Sequence, residues 1–248
     1  APVSAQTLFK GILEVRPGQM LVASGGNVQA RQYWDWTFPQ DGEYHNASAE
    51  TQADTLHDLL VDATRLRLRS DVPVGAYLSG GLDSSVLVAI IHHYGNVPLR
   101  TFSIGFEDAD YDESKYQQQM IDHLGADHSR ISCGNSDIAQ AFAQAIWHTE
   151  APVLRTAPVP MMLLSGLVRS QGYKVVLTGE GSDEVLGGYD IFKEAKIRHF
   201  WAKNPNSAFR PRLLKRLYPY LDLSQAQAQV YLQNFFGAAL DQPNVPHF

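Results

Sequence analysis

The chain has 248 residues, of which 44% are hydrophobic, 19% charged and 10% aromatic. This length and composition suffice for a large buried core, and they exclude a disordered tail, a collagenous fibre and a coiled coil. The formal net charge of −6 argues against binding to duplex nucleic acid, because such proteins concentrate lysine and arginine on one face.

Three features indicate the setting of the chain. The longest uninterrupted apolar run, Val86 to Ile91, is far shorter than the roughly 20 residues of a membrane-spanning helix, so we expect no membrane partner. Cys133 is the only cysteine, which excludes an intrachain disulfide and favours a reducing, cytoplasmic location. The chain starts at Ala1 without an initiator methionine or a signal peptide, and we interpret it as an excised fragment or a processed product.

The predicted elements form two patterns. Short β stretches alternate with turn signals at the start, which indicates a small antiparallel piece, and the polar residues 39–51 resemble a linker. Strands and helices alternate from residue 74, the chain turns helical beyond Tyr189, and residues 241–248 hold no clear element. In chain order, we predict β stretches at 8–15, 20–23 and 28–34, helix 51–69, strand 74–78, helix 84–94, strand 99–106, helix 113–124, strand 128–132, helices 137–148 and 161–171, and strand 174–178.

The alternation of strands and helices determines the expected fold class. Parallel strands need crossover connections, and helices in those connections cover both faces of the sheet. We therefore predict an α/β fold with a mainly parallel sheet and helices on both faces. A small antiparallel β piece precedes it and helices follow it.

The loop after the first strand of this alternation reads Leu78-Ser79-Gly80-Gly81-Leu82-Asp83-Ser84-Ser85. Its two glycines let the backbone approach a ligand, and the following helix N-terminus offers N–H groups to an anion. Hydroxyls of the three serines add donors. Asp83 would repel a bare phosphate, which suggests a metal ion between the two. An ordinary glycine-rich turn is the alternative, but the strand-loop-helix context favours a phosphate site.

A second loop, residues 178–184, follows the predicted strand 174–178 and reads Thr-Gly-Glu-Gly-Ser-Asp-Glu. Ligands of open α/β sheets sit above the carboxyl ends of the strands, so we expect both loops to face one crevice. Glu180, Asp183 and Glu184 would repel one another without a cation, and a metal contact from Asp183 opposite Asp83 would relieve this. Acidic residues favoured by a helix dipole are the alternative interpretation.

These motifs resemble a known family. Residues 79–85 look like the pyrophosphate-binding loop of the N-type ATP pyrophosphatases. With residues 71–75 before them and residues 178–184 and 187–189 after, they resemble the synthetase domain of glutamine-hydrolysing asparagine synthetases. Residues 8–12, 16–18 and 31–35 are similar to the end of that family's class II glutaminase domain.

The resemblance implies a domain organisation and a fold type. Residues 1–45 would be the C-terminal remnant of a glutaminase domain with a linker, and residues 46–248 a C-terminally truncated synthetase domain. The fold would be adenine nucleotide alpha hydrolase-like. Implied partners are the glutaminase domain of the same full-length chain and small molecules, with a homodimer left open.

The resemblance also implies ATP and Mg²⁺ as cofactors and an adenylating amide synthesis. The carboxylate of aspartate attacks ATP with release of pyrophosphate, and ammonia then displaces AMP to give asparagine. The implied site residues are Ser79, Gly80, Gly81, Leu82, Asp83, Ser84 and Ser85 for the phosphates, Leu78, Ile104 and Gly105 for adenosine, Thr178 and Gly179 closing over the nucleotide, Asp83 and Asp183 for the metal, and Glu180 as general base.

The acyl substrate stays open at this point. Glu184 and Arg155 are candidate substrate contacts, but the segment around Arg155 does not match the bacterial asparagine synthetase pattern closely. A surface arginine is the simpler interpretation of Arg155. Two alternatives therefore stand beside asparagine synthesis: a β-lactam synthetase-like amide ligase on another acid, and a nucleotide-binding module without turnover.

Overall fold

A computed structural model describes residues 5–39, 43, 46–217 and 232–241 of the chain. The chain divides into two compact units, Ala1–Thr178 and Gly179–Phe248, which are described separately below. Parts of the predicted linker and almost all of the stretch 241–248 lie outside the described residues.

The first unit opens with a two-stranded antiparallel hairpin. Strand β1 (Gln19–Ser24) pairs with β2 (Asn27–Gln32), and Gly25 and Gly26 form the turn with φ of 57° and 78°. Such a pair of positive φ values matches the twist of a tight hairpin. The predicted antiparallel piece is confirmed.

The predicted β stretch at 8–15 is wrong. The chain turns there, since the N–H of Ile12 donates to the carbonyl of Phe9 at 3.2 Å, and only an isolated bridge joins Gln6 to Leu13. Gly11 has a φ of 80°, a left-handed conformation that interrupts an extended strand.

A long helix precedes the main sheet. Helix α1 (Ala49–Arg67) begins after Ser48, whose hydroxyl accepts a hydrogen bond from the N–H of Thr51 at 3.1 Å. That bond satisfies one of the free N–H groups at the helix start. Arg65 and Arg67 lie in the last turn, where cations are favoured by the helix dipole.

Four parallel strands form the main sheet. They are β3 (Val74–Tyr77), β4 (Arg100–Phe106), β5 (Asp127–Cys133) and β6 (Val175–Leu177), in the spatial order β5-β4-β3-β6. Every pairing in this sheet is parallel, so all four carboxyl ends lie along one edge.

Helices cover both faces of this sheet. The connecting helices are α2 (Leu82–Tyr94), α3 (Ser114–Leu124), α4 (Asn135–Thr149) and α5 (Pro158–Ser170). Ala76 and Leu78 pack in one buried cluster with residues of α2 and α3, whereas Phe102 packs in another with Leu164 and Val168 of α5. The α/β fold class is therefore confirmed, and so is the small antiparallel piece before it.

The second unit is helical where it is described. It holds α6 (Ser182–Leu186), α7 (Asp190–Ala202), a 3₁₀ helix (Arg210–Arg216) and helical residues 232–237. Its core joins Trp201, Leu214, Leu217 and Phe236. The prediction of helices beyond Tyr189 is confirmed for this part. Across the described ranges, no helix combines the length and apolar character that crossing a bilayer requires.

Candidate functional site

The loop between β3 and α2 is held in a fixed shape by its own serines. The hydroxyls of Ser79 and Ser84 are 2.8 Å apart, and the N–H of Ser79 donates to Ser84 Oγ at 3.1 Å. Ser84 Oγ also donates to the carbonyl of Gly81 at 3.2 Å. Ser84, predicted as a phosphate donor, therefore supports the loop from within.

Gly80 lets the loop pass closely beneath α3. Its φ is 91°, and a Cβ built on it would lie 3.1 Å from the carbonyl oxygen of Glu113 and 3.1 Å from Tyr116 Cβ. Only a residue without a side chain fits this backbone shape and this space. Position 80 therefore requires glycine both for its backbone conformation and for the close approach of α3.

Helix α2 begins directly after the loop, with Gly81 as its N-cap in an extended conformation. No side chain caps this end, and the first N–H groups of a helix have no partners within it. These groups and the helix dipole favour an anion. Leu82 is 78% exposed at the start of the helix, so the approach to this end is open on that side.

Asp83 lies in the first turn of α2 and is half-buried. No residue in the described part of the chain forms an ion pair with its carboxylate. The described residues contain no group of three histidine, cysteine, aspartate or glutamate side chains placed to hold a metal ion. Mg²⁺ is commonly held by one or two carboxylates and phosphate oxygens, so this donor set fits it.

The predicted adenosine contacts Ile104 and Gly105 lie at the end of β4, beside the loop. The loop begins where the N–H of Leu78 donates to the carbonyl of Phe102 at 2.9 Å, which continues the β3–β4 pairing. The structure therefore brings the loop of residues 78–85 next to Ile104. Gly105 is buried, and a Cβ there would approach Ser114 Oγ to 3.0 Å.

Gln117 of α3 joins the loop of residues 78–85 to the end of β4, and the sequence pattern did not predict it. Its Nε2 donates to the carbonyl of Ser79 at 3.2 Å and to that of Ile104 at 3.1 Å. A signal was present, because Gln117 takes the helical spacing of Met120, Ile121 and Leu124, which pack in the core. A polar residue at such a position points to buried hydrogen bonds.

Asp112 fixes the start of α3 next to the same strand end. Its carboxylate accepts hydrogen bonds from the hydroxyl and N–H of Ser114 and from the N–H of Phe106. The hydroxyl bond of Ser114 is the main cause that lowers the pKa of Asp112 below its ordinary value. Through these bonds the Asp112 carboxylate joins the start of α3 to the end of β4.

The second predicted loop begins at the same edge of the sheet. Thr178 follows β6, and β6 pairs with β3 through Leu177 and Ala76. The remaining predicted residues, Gly179 to Glu184, belong to the second unit. The shared metal ion predicted between Asp83 and Asp183 stays a prediction.

Within the second unit, hydrogen bonds shape the residues 179–189. Ser182 Oγ donates to the carbonyl of Gly179 at 2.7 Å, and Gly181 has a φ of 94°. Tyr189 Oη donates to Glu184 at 3.2 Å, and this bond, with the nearby carboxylates, raises the pKa of Tyr189. Glu184, predicted as a substrate contact, is therefore already engaged by a tyrosine.

Asp183 depends on a glycine for its position. A Cβ built on Gly188 would overlap Oδ1 of Asp183 and lie 2.9 Å from its Cγ. The N–H of Gly188 also donates to the carbonyl of Asp183 at 3.0 Å. The carboxylate thus rests in a space that any other residue at position 188 would fill.

Arg155 lines a cavity of about 890 Å³ in the first unit. The cavity lies at the carboxyl ends of β4 and β5 and before α5, and Glu107, Tyr111 and Asn135 also line it. Arg155 is exposed, and no described carboxylate pairs with it. A guanidinium in a cavity at this edge can bind the carboxylate of a small molecule.

Cys133 lies at the end of β5 with 1% of its surface exposed. Burial is the main cause that raises the pKa of its thiol, which disfavours the reactive thiolate. This agrees with its prediction as a small packing residue near a strand end.

Comparison with known proteins extends this description. The sequence pattern of the asparagine synthase family matches residues 55–245. The chain belongs to the asparagine synthase family. The family prediction made from residues 79–85 and 178–184 is thereby confirmed, whereas the match leaves the assignment of residues 1–45 untouched.

Three curated relatives illustrate the similarity to the asparagine synthase family. The amidase chyE of Penicillium rubens is 32% identical over 206 residues, covering 77% of this chain and 31% of the relative. Asparagine synthetase B [glutamine-hydrolyzing] of Escherichia coli is 34% identical over 199 residues, covering 74% and 35%. Asparagine synthetase [glutamine-hydrolyzing] 1 of Bacillus subtilis is 29% identical over 193 residues, covering 76% and 29%. The chain thus spans about a third of the length of these relatives.

Proposed function

We propose that this chain is the ATP-using synthetase part of an amide-forming ligase that adenylates a carboxylic acid, with aspartate as acid and asparagine as product. The observation that carries the proposal is the loop of residues 78–85. It combines a positive-φ glycine, an uncapped helix N-terminus and an unpaired aspartate among the described residues, within a chain of the asparagine synthase family.

In this proposal the loop holds the phosphates of ATP. The first N–H groups of α2 donate to phosphate oxygens, and the hydroxyls of Ser79 and Ser85 add donors. Ser84 keeps the loop in shape through its bonds to Ser79 and Gly81. Because these bonds exist before the nucleotide arrives, little order has to be created on binding.

Asp83 would hold Mg²⁺, with Asp183 as the second carboxylate that the family resemblance implies. The bound ion supplies charge neutralisation of the departing pyrophosphate. Asp83 suits this task because it is half-buried in the first turn of the helix that receives the phosphates. Its own charge would weaken the binding of bare anions to the loop when no cation is present.

Adenosine would lie against the ends of β3 and β4. Leu78 offers a buried apolar wall, and Ile104 and Gly105 extend the same edge of the sheet. Thr178 and Gly179 would close over the nucleotide. Positioning of this kind holds the α-phosphorus for attack and supplies much of the acceleration.

The acid would bind in the cavity that Arg155 lines. The guanidinium of Arg155 would orient the acid. A carboxylate oxygen of the acid then attacks the α-phosphorus of ATP while pyrophosphate leaves. The product of this step is an acyl-adenylate. Glu184 remains a second candidate contact for the acid, and its bond to Tyr189 would restrain it.

Ammonia completes the reaction in this proposal. Its nitrogen attacks the acyl carbon, and AMP leaves with the oxygen that came from the acid. The nitrogen must lose a proton as the amide forms, and Glu180, an exposed carboxylate next to Gly181, is proposed to accept it. A residue that accepts a proton in this way should be required for amide formation more than for adenylation.

We propose that residues 1–45 are the remnant of a glutaminase domain of the same full-length protein. That domain would supply the ammonia. The hairpin supports this assignment of residues 1–45. Leu21 lies opposite Ala30 and Ala23 opposite Val28, which gives one apolar face, yet Leu21 and Val28 are 54% and 66% exposed. Apolar surface of this kind marks an interaction site, and further strands of such a domain would cover it. Cytoplasmic location and a homodimer stay predictions.

A second candidate is an amide ligase that uses another acid, as in β-lactam synthetases. Two relatives favour this candidate, since the 32% identical protein of Penicillium rubens and the 31% identical protein of Gibberella zeae are named amidases and not asparagine synthetases. The adenylation step is common to both candidates. They differ in the acid that fills the cavity around Arg155.

The test follows the phosphorus and the oxygen together. The chain is incubated with Mg·ATP, ammonium and aspartate labelled with ¹⁸O in its carboxylates, and products are followed by ³¹P NMR. We expect aspartate-dependent AMP and pyrophosphate, with one ¹⁸O in the phosphate of AMP. ADP and phosphate instead would contradict the proposal. AMP formed only with another acid would select the second candidate, and ATP binding without turnover would indicate a nucleotide-binding module.

A matched pair of variants controls the experiment. Asp83→Asn removes the proposed metal ligand and should lower AMP formation by about 100-fold or more. Asp62→Asn removes an exposed carboxylate of α1 and should leave the rate unchanged. Equal rates in the two variants would remove Asp83 from the proposed site.

A further inference from the structure

We propose that Gln117 is a positioning residue for ATP. Its side-chain amide fixes the loop of residues 78–85, the proposed phosphate site, relative to the end of β4, the proposed adenosine site. This inference rests on the proposed function. It assigns a role to a residue outside the loops on which the family resemblance was based.

The geometry of the amide supports the inference. One nitrogen, Nε2, donates both to the carbonyl of Ser79, 3.2 Å away, and to the carbonyl of Ile104, 3.1 Å away. Ser79 lies in the loop of residues 78–85, and Ile104 lies near the end of β4. Beyond the bond from Leu78 to Phe102, no regular pairing continues between β3 and β4, so a side chain takes over where the strands diverge.

The same helix also contacts the loop directly. A Cβ on Gly80 would lie 3.2 Å from the N–H nitrogen of Gln117 and 3.1 Å from the carbonyl of Glu113. The first turns of α3 therefore lie against the loop backbone, and Asp112 fixes this end of the helix to β4. A displacement of Gln117 would be transmitted to both halves of the nucleotide site.

The two polar atoms of the Gln117 side chain differ in their bonding, and the difference indicates that the donor determines the role of this residue. The side chain is 2% exposed, and its Oε1 is buried with no hydrogen-bond partner among the described residues. A buried acceptor without a partner is unfavourable for folding, so the amide oxygen does not explain why an amide is present at this position. What an apolar side chain cannot supply is the pair of bonds to the two carbonyls.

The test compares isosteric substitutions. Gln117→Met keeps the length and removes the donor, and Gln117→Glu places a carboxylate against two carbonyl oxygens. Gln118→Met makes the matched change on the same helix, where the Gln118 side chain is exposed and, among the described residues, bonds to Asp122 of α3 alone. Mg·ATP affinity is measured by calorimetry, with thermal unfolding of each variant recorded alongside.

We expect Gln117→Met to weaken ATP binding by about tenfold and Gln117→Glu by more, because two hydrogen bonds that set the site are lost. Gln118→Met should bind as the unmodified chain does. In turnover, the KM for ATP should rise more than kcat falls. Hydrogen exchange of peptides covering residues 78–85 should become faster in Gln117→Met, whereas exchange in α5 should not change.

Three outcomes would overturn the inference. Equal ATP affinity of the unmodified chain and both Gln117 variants would do so. So would a fall in melting temperature without a change in affinity, which would show a structural role. If Gln117→Met does not fold, Gln117→Asn, which keeps the amide but shortens its reach, gives the same comparison. An unmodified chain that binds no ATP would overturn the proposed function itself, and the positioning role with it.

Discussion

Gly188 is the residue whose replacement most directly tests the second loop. Because a Cβ there would overlap the Asp183 carboxylate, Gly188→Ala should displace that carboxylate while leaving the core of the second unit intact. A small displacement of a positioned group can lower a rate by about 100-fold. We expect a loss of AMP formation of that order, measured at saturating ATP, with little change in melting temperature.

Gly166 provides the matched control. It lies exposed within α5, and a Cβ there would meet no atom within 4 Å apart from its chain neighbours and the backbone of its own helix. Gly166→Ala should leave the rate unchanged and stabilise the chain by about 0.5–1 kcal/mol, because alanine favours the helix. Full activity of Gly188→Ala would show that the position of the Asp183 carboxylate is unimportant.

Single residues also show what a motif can and cannot predict. The sequence predicted Asp83 and Asp183 because acidic residues beside a glycine-rich loop suggest a metal. It could not predict Gly188 as the residue that makes room for Asp183, because their contact depends on how the chain turns after α6. Gln117 was missed for a similar reason, since its two partners, Ser79 in the loop after β3 and Ile104 in β4, lie elsewhere in the chain.

Helix α2 supplies one wall of the core as well as the proposed phosphate site. Ile91 is 2% exposed and packs with Ala76, Leu78 and Leu124. Ile91→Ala should lower the free energy of unfolding by about 2–5 kcal/mol, because it leaves a cavity in a packed cluster. Chemical denaturation measures this change directly.

The control for Ile91 lies one turn and a half earlier on the same helix. Val86 is 40% exposed, so Val86→Ala should change stability by no more than about 0.5 kcal/mol. Comparable losses in both variants would mean that α2 is not packed on the sheet as described.

The pairing of β4 and β5 encloses a histidine. Thr101 Oγ1 lies 2.9 Å from Nδ1 of His128, and Ser103 Oγ lies 3.0 Å from Nε2. Burial, helped by the charges of Arg130 and Arg100, lowers the pKa of His128 below its ordinary value of 6.5, and Asp127 opposes this. The folded chain therefore favours the neutral form of this histidine more than the unfolded chain does.

The pH dependence of stability follows from that shift. Below pH 6.5 the unfolded chain binds a proton at His128 that the folded chain resists, so stability falls as the pH decreases and is fully present above that value. We expect the melting temperature to decrease between pH 7.5 and pH 5.5, and His128→Gln to flatten this decrease. His123→Gln, an exposed control on α3, should keep the slope. An unchanged slope in His128→Gln would contradict the prediction.

The predicted elements differ in how well they agree with the structure, and the reason is physical. Strands and helices from 74 to 178 were predicted to within a few residues, because apolar periodicity reflects burial on a covered sheet. The stretch 8–15 was wrongly predicted as β. Its apolar residues are exposed around a turn at Gly11, so their spacing does not reflect a buried strand face.

The order of the strands was beyond the sequence pattern. Alternation predicts a parallel sheet, but it does not predict that β6, the last of these four strands in chain order, pairs with β3. That pairing brings Thr178 to the same edge as Leu78, although 100 residues separate them in the chain. The candidate site could therefore be predicted as a set of loops, whereas its assembly needed the fold.

For the chain as a whole, ligand binding should appear as stability. A ligand that binds only the folded form raises the free energy of unfolding by about 2.7 kcal/mol at 100 times its Kd. We expect Mg·ATP to raise the melting temperature, and removal of Mg²⁺ with a chelator to reduce that rise, because Asp83 then faces the phosphates without a cation. Differential scanning calorimetry with ATP, with Mg²⁺ alone and with both separates the contributions. An equal rise with and without Mg²⁺ would contradict the assignment of Asp83 as a metal ligand, since its carboxylate would then oppose the nucleotide.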